Sequence, residues 1–198
     1  SLAHNYFRDK RMFLSDTDIK KGVEDELITI EDFDESRLQP ASYDVLLGNT
    51  FVLTSSHETK AIDPANKIFP NTTEVTIPDG EEFVLHPRTT VLGTLKDFVG
   101  SKEYLIQISG KSSLARIGLV VHNTAGIINP GHFLHITLEL ANFNIVPIIL
   151  RPGMPIAQLT FSKLTSPVSH DYTETGRFNG DNWKKNFTPE KGKKVEKV

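Results

Sequence analysis

Short apolar and β-branched runs recur along most of this chain, with turn residues between them. Tight reversals are marked by Asp79-Gly80, Asn129-Pro130-Gly131 and Pro152-Gly153. The runs lie near residues 43–47, 50–54, 74–77, 82–86, 90–95, 103–109, 117–122, 133–141, 145–150 and 155–161. This spacing predicts an all-β fold, a sandwich, jelly roll or barrel, rather than a series of βαβ units.

One short helix is predicted near the N-terminus. Ser15 suits the N-cap position, and Asp18 then falls at the third helical position, where the positive end of the helix dipole favours an acid. Gly22 and the β-leaning segment 26–30 follow closely, so we expect the helix to be short.

The chain of 198 residues is long enough for one domain with tails. We expect residues 1–13 to be an N-terminal extension that need not be native, because Ser1 is not a methionine. Residues 14–170 should form the β domain. The apolar pattern fades after Pro167, and the polar, basic segment 171–198 is expected to be a flexible C-terminal tail.

Composition argues against several classes of function. The formal net charge of −3 provides no basic field for nucleic acid, and no apolar run approaches the roughly 18–20 residues of a membrane span. The chain has no cysteine, which fits a reducing compartment and removes any disulfide or cysteine-ligated metal site. We therefore expect a cytoplasmic protein without nucleic-acid or membrane partners and without a metal held by its own side chains.

A cluster of cations and hydroxyls stands at residues 110–118. Lys111 and Arg116 flank Ser112 and Ser113, and these groups suit the oxygens of a phosphorylated ligand. The cluster is not a P-loop, because the second upstream glycine and its spacing are missing. Its alternative interpretation is an ordinary turn before an apolar stretch.

The segment 135–140 predicts a strand that carries a single acid, Glu139. Side chains alternate in a strand, so Ile136, Leu138 and Leu140 should face the core while Thr137 and Glu139 share the other face. Burial under a neighbouring chain raises the pKa of a carboxyl group, which a general base needs near neutral pH. The alternative is an exposed glutamate on an edge strand.

Together these segments resemble the dCTP deaminase family, the deaminating branch of the trimeric dUTPase superfamily. The ordered set is specific, although each segment alone is weak evidence. The matching segments are LSDTDI (14–19), LQPASYDVLLG (38–48), FVLHP (83–87), GKSSLARIGL (110–119), HNTAGIINPGH (122–132), ITLELAN (136–142) and RPGMPIAQLTF (151–161).

The resemblance implies a distorted jelly roll or β-barrel of the dUTPase-like type, assembled as a homotrimer with active sites between subunits. It also implies zinc-free, hydrolytic deamination. Glu139 matches the general base, which takes a proton from water before hydroxide attacks C4 of cytosine and ammonia leaves. Ser112 and the carbonyl of Ala125 match the groups that hold this water, and Arg116 matches the arginine that supports the glutamate.

The resemblance further implies dCTP as substrate, with Mg²⁺ bound through its triphosphate, since this ion holds phosphate oxygens and keeps several waters. The tail 171–198 would act as a lid over the triphosphate, and dTTP is a possible feedback inhibitor. The implied contacts are Lys111, Ser112, Ser113 and Arg116 for the triphosphate, Asn129 for the sugar, Thr137, Leu138 and Glu139 at the base, and Tyr172 and Arg177 in the tail.

Asn129 bears on the product, because family members usually have Asp there. An amide hydrogen-bonds a hydroxyl but cannot act as a carboxylate base, which favours deamination alone, with dUTP as product. Gly126 is also seen in bifunctional members, so an enzyme that yields dUMP and pyrophosphate is the alternative. A catalytically silent nucleotide-binding regulatory protein on the same fold is the non-enzymatic alternative.

Three further polar residues in these motifs are interpreted as structural. Ser42 and Asp44 are expected to fix an N-terminal turn or a subunit contact rather than to bind substrate. His122 is expected to be a structural histidine with its hydrogen bonds satisfied.

Overall fold

The computed structural model describes residues 12–55, 61–66, 68–170 and 172–175. Its helices are α1 (Asp16–Glu24), α2 (Ser112–Ala115) and α3 (Tyr172–Thr175), with a 3-10 turn at Glu35–Arg37. Its strands are β1 (Ile28–Ile30), β2 (Leu38–Gln39), β3 (Ser42–Ser55), β4 (Asn71–Thr76), β5 (Phe83–Leu85), β6 (Thr90–Ser101), β7 (Leu105–Gly110), β8 (Leu119–Val120), β9 (Ile127–Ile128), β10 (Leu134–Asn142), β11 (Ile148–Leu150) and β12 (Pro155–Ser162).

The strands confirm the predicted all-β fold. Ten of the strands within the described ranges form one antiparallel sheet, whose main path is β8-β10-β6-β3-β12-β7-β9. Strand β1 adds to β6, while β2 and β4 add to β3. Strands β5 and β11 form a separate antiparallel pair.

The sheet is strongly curled, and its connections show why. Strands β8 and β9 stand at opposite ends of the path, six strand spacings apart, or about 29 Å in a flat sheet. Only the segment 121–126 joins them, and seven residue steps of extended chain reach about 25 Å at most. The sheet must therefore curl until its two ends approach each other, as in the expected distorted barrel.

Helix α1 begins as the sequence predicts. Ser15 is its N-cap, and its side chain accepts a hydrogen bond from the backbone N–H of Asp18. The helix does not end at Gly22 but runs through it to Glu24. A Cβ atom at Gly22 would lie 2.7 Å from Cδ1 of Ile28, so the glycine serves the close packing of α1 against β1.

The structure has two features near the predicted site that the sequence pattern did not predict. Strand β9 has only two residues, Ile127 and Ile128, which is too short for a periodic signal. The cluster after Gly110 is a single helical turn, α2, in which Arg116 donates its backbone N–H to the carbonyl of Ser112.

The helices in the described part of the chain are all too short or too polar to serve as membrane spans. Residues 1–11 and 176–198 lie outside the described ranges. The predicted lid role of the tail, and the predicted contact from Arg177, therefore stay predictions, as do the domain limits at residues 14 and 170.

Candidate active site

Glu139 lies on the face of β10 that points away from the core. Its neighbours on the other face, Ile136, Leu138 and Leu140, are buried, which confirms the predicted alternation. Glu139 stands opposite Leu92 of β6 and is partly buried. Its Oε2 atom accepts a hydrogen bond from the backbone N–H of Asn123, with 3.1 Å between the two atoms.

The partner of Glu139 belongs to the segment 121–126, which closes the sheet. Strand β8 pairs Val120 with Ala141, so the residues that follow it run back along β10 towards Glu139. At the far end of the segment, the carbonyl of Gly126 accepts a hydrogen bond from the N–H of Ile108 at 2.9 Å. The structure thus holds the backbone on both sides of Ala125, which is exposed, and brings this stretch to the carboxylate.

Gly126 is required by this close approach. A Cβ atom there would lie 3.1 Å from the carbonyl oxygen of Ile108 and 3.3 Å from Cε1 of His122. The Nδ1 atom of His122 is buried and has no hydrogen-bond partner within the described ranges. Among the described residues, no group supplies the hydrogen bond at Nδ1 that the expectation of a satisfied structural histidine requires, and this nitrogen is packed beside the segment that meets Glu139.

Helix α2 presents the other half of the predicted site. Ser112, Ser113 and Arg116 are all exposed, and in the described part of the chain neither hydroxyl group nor the guanidinium has a hydrogen-bond or ion-pair partner. Lys111 differs, because its Nζ atom lies 2.5 Å from Oδ2 of Asp44 on β3. With respect to the described residues, this cluster therefore offers two hydroxyls and one cation without partners, together with one cation held by a carboxylate.

The two halves lie beside different ends of β8. The residues that follow α2 bond to the chain after β10, with Phe143 donating to the carbonyl of Gly118 and the Asn144 side chain donating to that of Ile117. Glu139 instead meets the residues that follow β8. Among the described residues, the protomer contains no hydrogen bond or ion pair between Glu139 and either Ser112 or Arg116.

Asn129 is exposed, and it begins a turn that is fixed by hydrogen bonds. Its carbonyl accepts a hydrogen bond from the N–H of His132, and Gly131, with φ of +84°, donates to the carbonyl of Ser101 at 2.8 Å. Tyr172 is bound to the same turn. Its N–H donates to the carbonyl of Pro130, and its ring stacks on that of His132 with 4.0 Å between centroids. Tyr172 and Asn129 are thus brought close together at the start of the tail.

Thr137 and Leu138 fall on opposite faces of β10. Thr137 is partly buried on the face of Glu139 and pairs with Thr94 of β6. The side chain of Leu138 is 0% exposed and packs in the core. A nucleotide contact through the Leu138 side chain is therefore excluded by burial, and only its main chain could make the predicted contact.

Asp44 is the polar residue near the site that sequence reasoning interpreted differently. Its carboxylate pairs with Lys111 across 67 positions of sequence, a contact that the sequence analysis did not predict, and its expected role in an N-terminal turn or a subunit contact stays a prediction. A pair so distant in the chain has no local pattern. The only hint was the presence of both residues in the resembling motifs.

Comparison with known proteins identifies the family. A family model described as dCTP deaminase-like matches residues 13–164. The chain is 45% identical over 162 residues to the protein of Tropheryma whipplei (strain Twist) named "dCTP deaminase, dUMP-forming", covering 81% of this chain and 83% of that one. A protein of the same name from Mycobacterium avium (strain 104) is 44% identical over 165 residues, with 83% and 87% of the two chains covered.

The fold comparison agrees with the sequence relatives. The crystal structure of 2'-deoxycytidine 5'-triphosphate deaminase from Agrobacterium tumefaciens superposes with a TM-score of 0.58 at 19% identity. The match covers 77% of this chain and 47% of that one, so this chain aligns with about half of that protein. The predicted dUTPase-like β fold is confirmed. From the family match over residues 13–164 and from relatives of about 45% identity, we conclude that this chain belongs to the dCTP deaminase-like family.

Proposed function

We propose that this protein is an enzyme that deaminates dCTP and also cleaves the phosphate chain, giving dUMP, ammonia and pyrophosphate. The observation that carries the proposal is the placement of Glu139, off the core face and bound to the backbone of the segment that closes the sheet. The chain is about 45% identical to proteins named "dCTP deaminase, dUMP-forming", and this similarity supports dCTP as the substrate.

The names of these relatives favour dUMP over the dUTP that Asn129 led us to expect. Asn129 is exposed in a fixed turn, where its amide is suited to hydrogen-bond a sugar hydroxyl. We propose that Asn129 orients the substrate. It is not the group that deprotonates the water attacking the phosphate chain.

Glu139 is proposed as the general base for deamination. Its carboxylate takes a proton from water, the hydroxide attacks C4 of cytosine, and this proton passes to the ring nitrogen N3. The proton of the new C4 hydroxyl then passes to the amino group as the C4–N bond breaks, so that ammonia departs and the C4 carbonyl of uracil forms. The Ser112 hydroxyl and the Ala125 carbonyl would hold the water, and the Arg116 guanidinium would stabilise the carboxylate and the developing charge. Fixed polar groups of this kind contribute a few kcal/mol each in a site that excludes water.

The separation of Glu139 from α2 within one protomer supports an assembly with shared sites. Arg116 has no partner in the described ranges, and the carboxylate it is proposed to support lies beside the other end of β8. We propose that a neighbouring copy in a homotrimer supplies α2 to each Glu139. Such an arrangement would cover a carboxylate that is only partly buried in the single chain.

Mg²⁺ is proposed to enter with the nucleotide. Among the described residues no three His, Asp or Glu side chains are placed to hold a metal ion. The exposed hydroxyls and guanidinium of α2 suit phosphate oxygens instead, so these residues fit a triphosphate that carries the ion. When bound, Mg²⁺ would offset phosphate charge, and the chain would orient the triphosphate. We further propose that the reaction takes place in the cytoplasm and that dTTP inhibits it.

The decisive experiment is incubation of the protein with dCTP and Mg²⁺, followed by chromatography of nucleotides and phosphates and an ammonia assay. We expect dUMP, pyrophosphate and ammonia in equal amounts. Glu139→Gln should bind dCTP but form no product, while Glu82→Gln, at an exposed ion pair with Arg151, serves as the matched control. Accumulation of dUTP without pyrophosphate would restrict the activity to deamination. Nucleotide-stabilised melting without any product would instead indicate a binding protein.

A further inference from the structure

The ion pair between Lys111 and Asp44 joins the predicted triphosphate segment to the middle of the sheet. Their side chains are 26% and 13% exposed, so the pair is largely removed from solvent. The other carboxylate oxygen of Asp44, Oδ1, is buried, and it has no hydrogen-bond partner in the described part of the chain. Among the described residues, the ammonium group of Lys111 therefore provides the counter-charge for the Asp44 carboxylate.

A second contact fixes the residue before Lys111. The Gln158 side chain, next to Asp44 across the β3–β12 pair, donates from Nε2 to the carbonyl of Gly110 at 3.3 Å. Its Oε1 atom accepts from the Ser42 hydroxyl at 3.1 Å. Side chains of β3 and β12 thus hold both Gly110 and Lys111, where the chain leaves the sheet and enters α2.

The carboxylate itself stands on an anchored strand. The Arg37 guanidinium donates to the carbonyl of Asp44 at 3.4 Å and pairs with the buried Asp97 at 2.8 Å. Asp97 in turn accepts from the N–H of Leu46 at 2.7 Å. The backbone around Asp44 is thus held from both sides, which fixes the position of the carboxylate that meets Lys111.

The geometry at Lys111 sets the direction of α2. Its carbonyl accepts the N–H groups of Leu114 and Ala115, which form the first turn of the helix. Its own backbone is extended, with φ of −88° and ψ of 135°, and no side chain caps the helix. The ion pair with Asp44 thus holds the side chain of the residue from which α2 starts.

We propose that Asp44 is a positioning residue for the nucleotide, acting through Lys111. The carboxylate engages one of the three N–H donors of the ammonium group and leaves the others for phosphate oxygens, while it holds α2 in place. This inference rests on the proposed function, because it assumes a triphosphate at residues 111–116.

Electrostatics alone predicts the opposite effect. Removing a negative charge near a bound triphosphate should strengthen binding, since the carboxylate repels the phosphates. The positioning role predicts weaker binding, because Lys111 loses its fixed direction when the carboxylate is replaced by an amide. The sign of the change in affinity on Asp44→Asn therefore separates the two.

The test is a double-mutant cycle with Asp44→Asn and Lys111→Met, measured as dCTP binding by calorimetry with Mg²⁺ in the Glu139→Gln background. We expect Asp44→Asn to raise the Kd by at least about fivefold and Lys111→Met to raise it further. The double variant should match Lys111→Met alone, because Asp44 acts through that ammonium. Glu82→Gln, which breaks an exposed ion pair, should leave the Kd unchanged.

Three outcomes would overturn the proposal. The first is an unchanged or lower Kd for Asp44→Asn. The second is an equal loss from Asp44→Asn when Lys111 is already Met, since the carboxylate would then act directly on the metal–nucleotide complex. The third is no dCTP binding by the Glu139→Gln protein with Asp44 and Lys111 intact, which would defeat the proposed function as well. If Asp44→Asn does not fold, Asp44→Glu replaces it, because it keeps the charge but displaces the carboxylate from Lys111. A raised Kd with Lys111 present and no further change with Lys111→Met then gives the same decision.

Discussion

The Glu139 carboxylate and the Asn123 backbone N–H are joined by a hydrogen bond of 3.1 Å, between strand β10 and the segment that closes the sheet. The bond fixes one carboxylate oxygen and leaves the other directed away from this contact. Arg116 of the same protomer is exposed and lies beside the other end of β8. We therefore propose that the second carboxylate oxygen of Glu139 is contacted by a neighbouring copy.

Mixing two inactive variants should restore activity if the site is shared. Arg116→Gln and Glu139→Gln each remove one side of the proposed contact, so homotrimers of either should be inactive. Exchanged subunits would recreate sites with an intact Glu139 from one chain and an intact Arg116 from another. The measurement is ammonia release after denaturation and joint refolding. No recovery in mixtures shown by mass spectrometry to contain both chains would mean that Glu139 and Arg116 of each site come from the same chain.

Asp97→Asn should strongly destabilise the fold. Asp97 is buried and pairs with Arg37 at 2.8 Å, so the amide would leave a partly buried guanidinium without its counter-charge. We expect a loss of about 3–5 kcal/mol in the free energy of unfolding. The measurement is urea denaturation at one protein concentration. Asp25→Asn, which breaks the exposed pair with Lys21, should change little, and equal losses would contradict the assignment.

Gly118→Ala should destabilise the protein more than Gly153→Ala. Both glycines have φ of +84°, so each substitution carries the cost of a left-handed backbone, about 1–2 kcal/mol. At Gly118 the new Cβ would also lie 2.9 Å from the N atom of Asn144, whereas nothing lies within 4 Å at Gly153. We expect an extra loss of about 1 kcal/mol or more at Gly118, measured by urea denaturation. Equal losses would show that the 118–144 contact relaxes freely.

Tyr43 should make the fold sensitive to alkaline pH. Burial raises the pKa of its phenol above the ordinary value of 10.0, because the interior disfavours the phenolate. A raised folded-state pKa means that its contribution is fully present below pH 10.0 and is lost as pH rises through the folded value. Urea denaturation across this range should show stability falling less steeply in Tyr43→Phe.

The same variant tests the hydrogen bond at Tyr43. Its hydroxyl accepts from the N–H of Asp34 at 3.0 Å, so Tyr43→Phe should lose about 1 kcal/mol at neutral pH. Tyr104, whose pKa burial also raises, is present in both proteins and cancels in the comparison. Parallel pH profiles for the two proteins would assign the alkaline loss to other groups.

Features with a local cause were predictable from the sequence. The N-cap at Ser15 follows from its side chain and the acid three residues later, and the alternation around Glu139 follows from strand geometry. Turn residues correctly separated most strands. The placement of Leu138 in the core also followed from this pattern, although it was at odds with the nucleotide contact expected of that residue.

Features that depend on contacts distant in sequence were not predictable. The Asp44–Lys111 pair and the approach of Asn123 to Glu139 arise only when strands that are distant in the sequence come together in the sheet. Strand β9 exists because its two residues pair with Ile106 and Gln107, and no periodic pattern marks it. The unpaired nitrogen of His122 is likewise set by Gly126 and the backbone around it.

The short link between β8 and β9 has a consequence for how this protein can vary. Residues 121–126 connect the two ends of the sheet, and the same six positions supply the Asn123 N–H that binds the Glu139 carboxylate. A longer link would relax the curvature of the sheet and would also displace the amide that binds Glu139. A change in its length would therefore alter the fold and the candidate site together. Diversity among relatives should accumulate in other loops, while the length of this one stays constant.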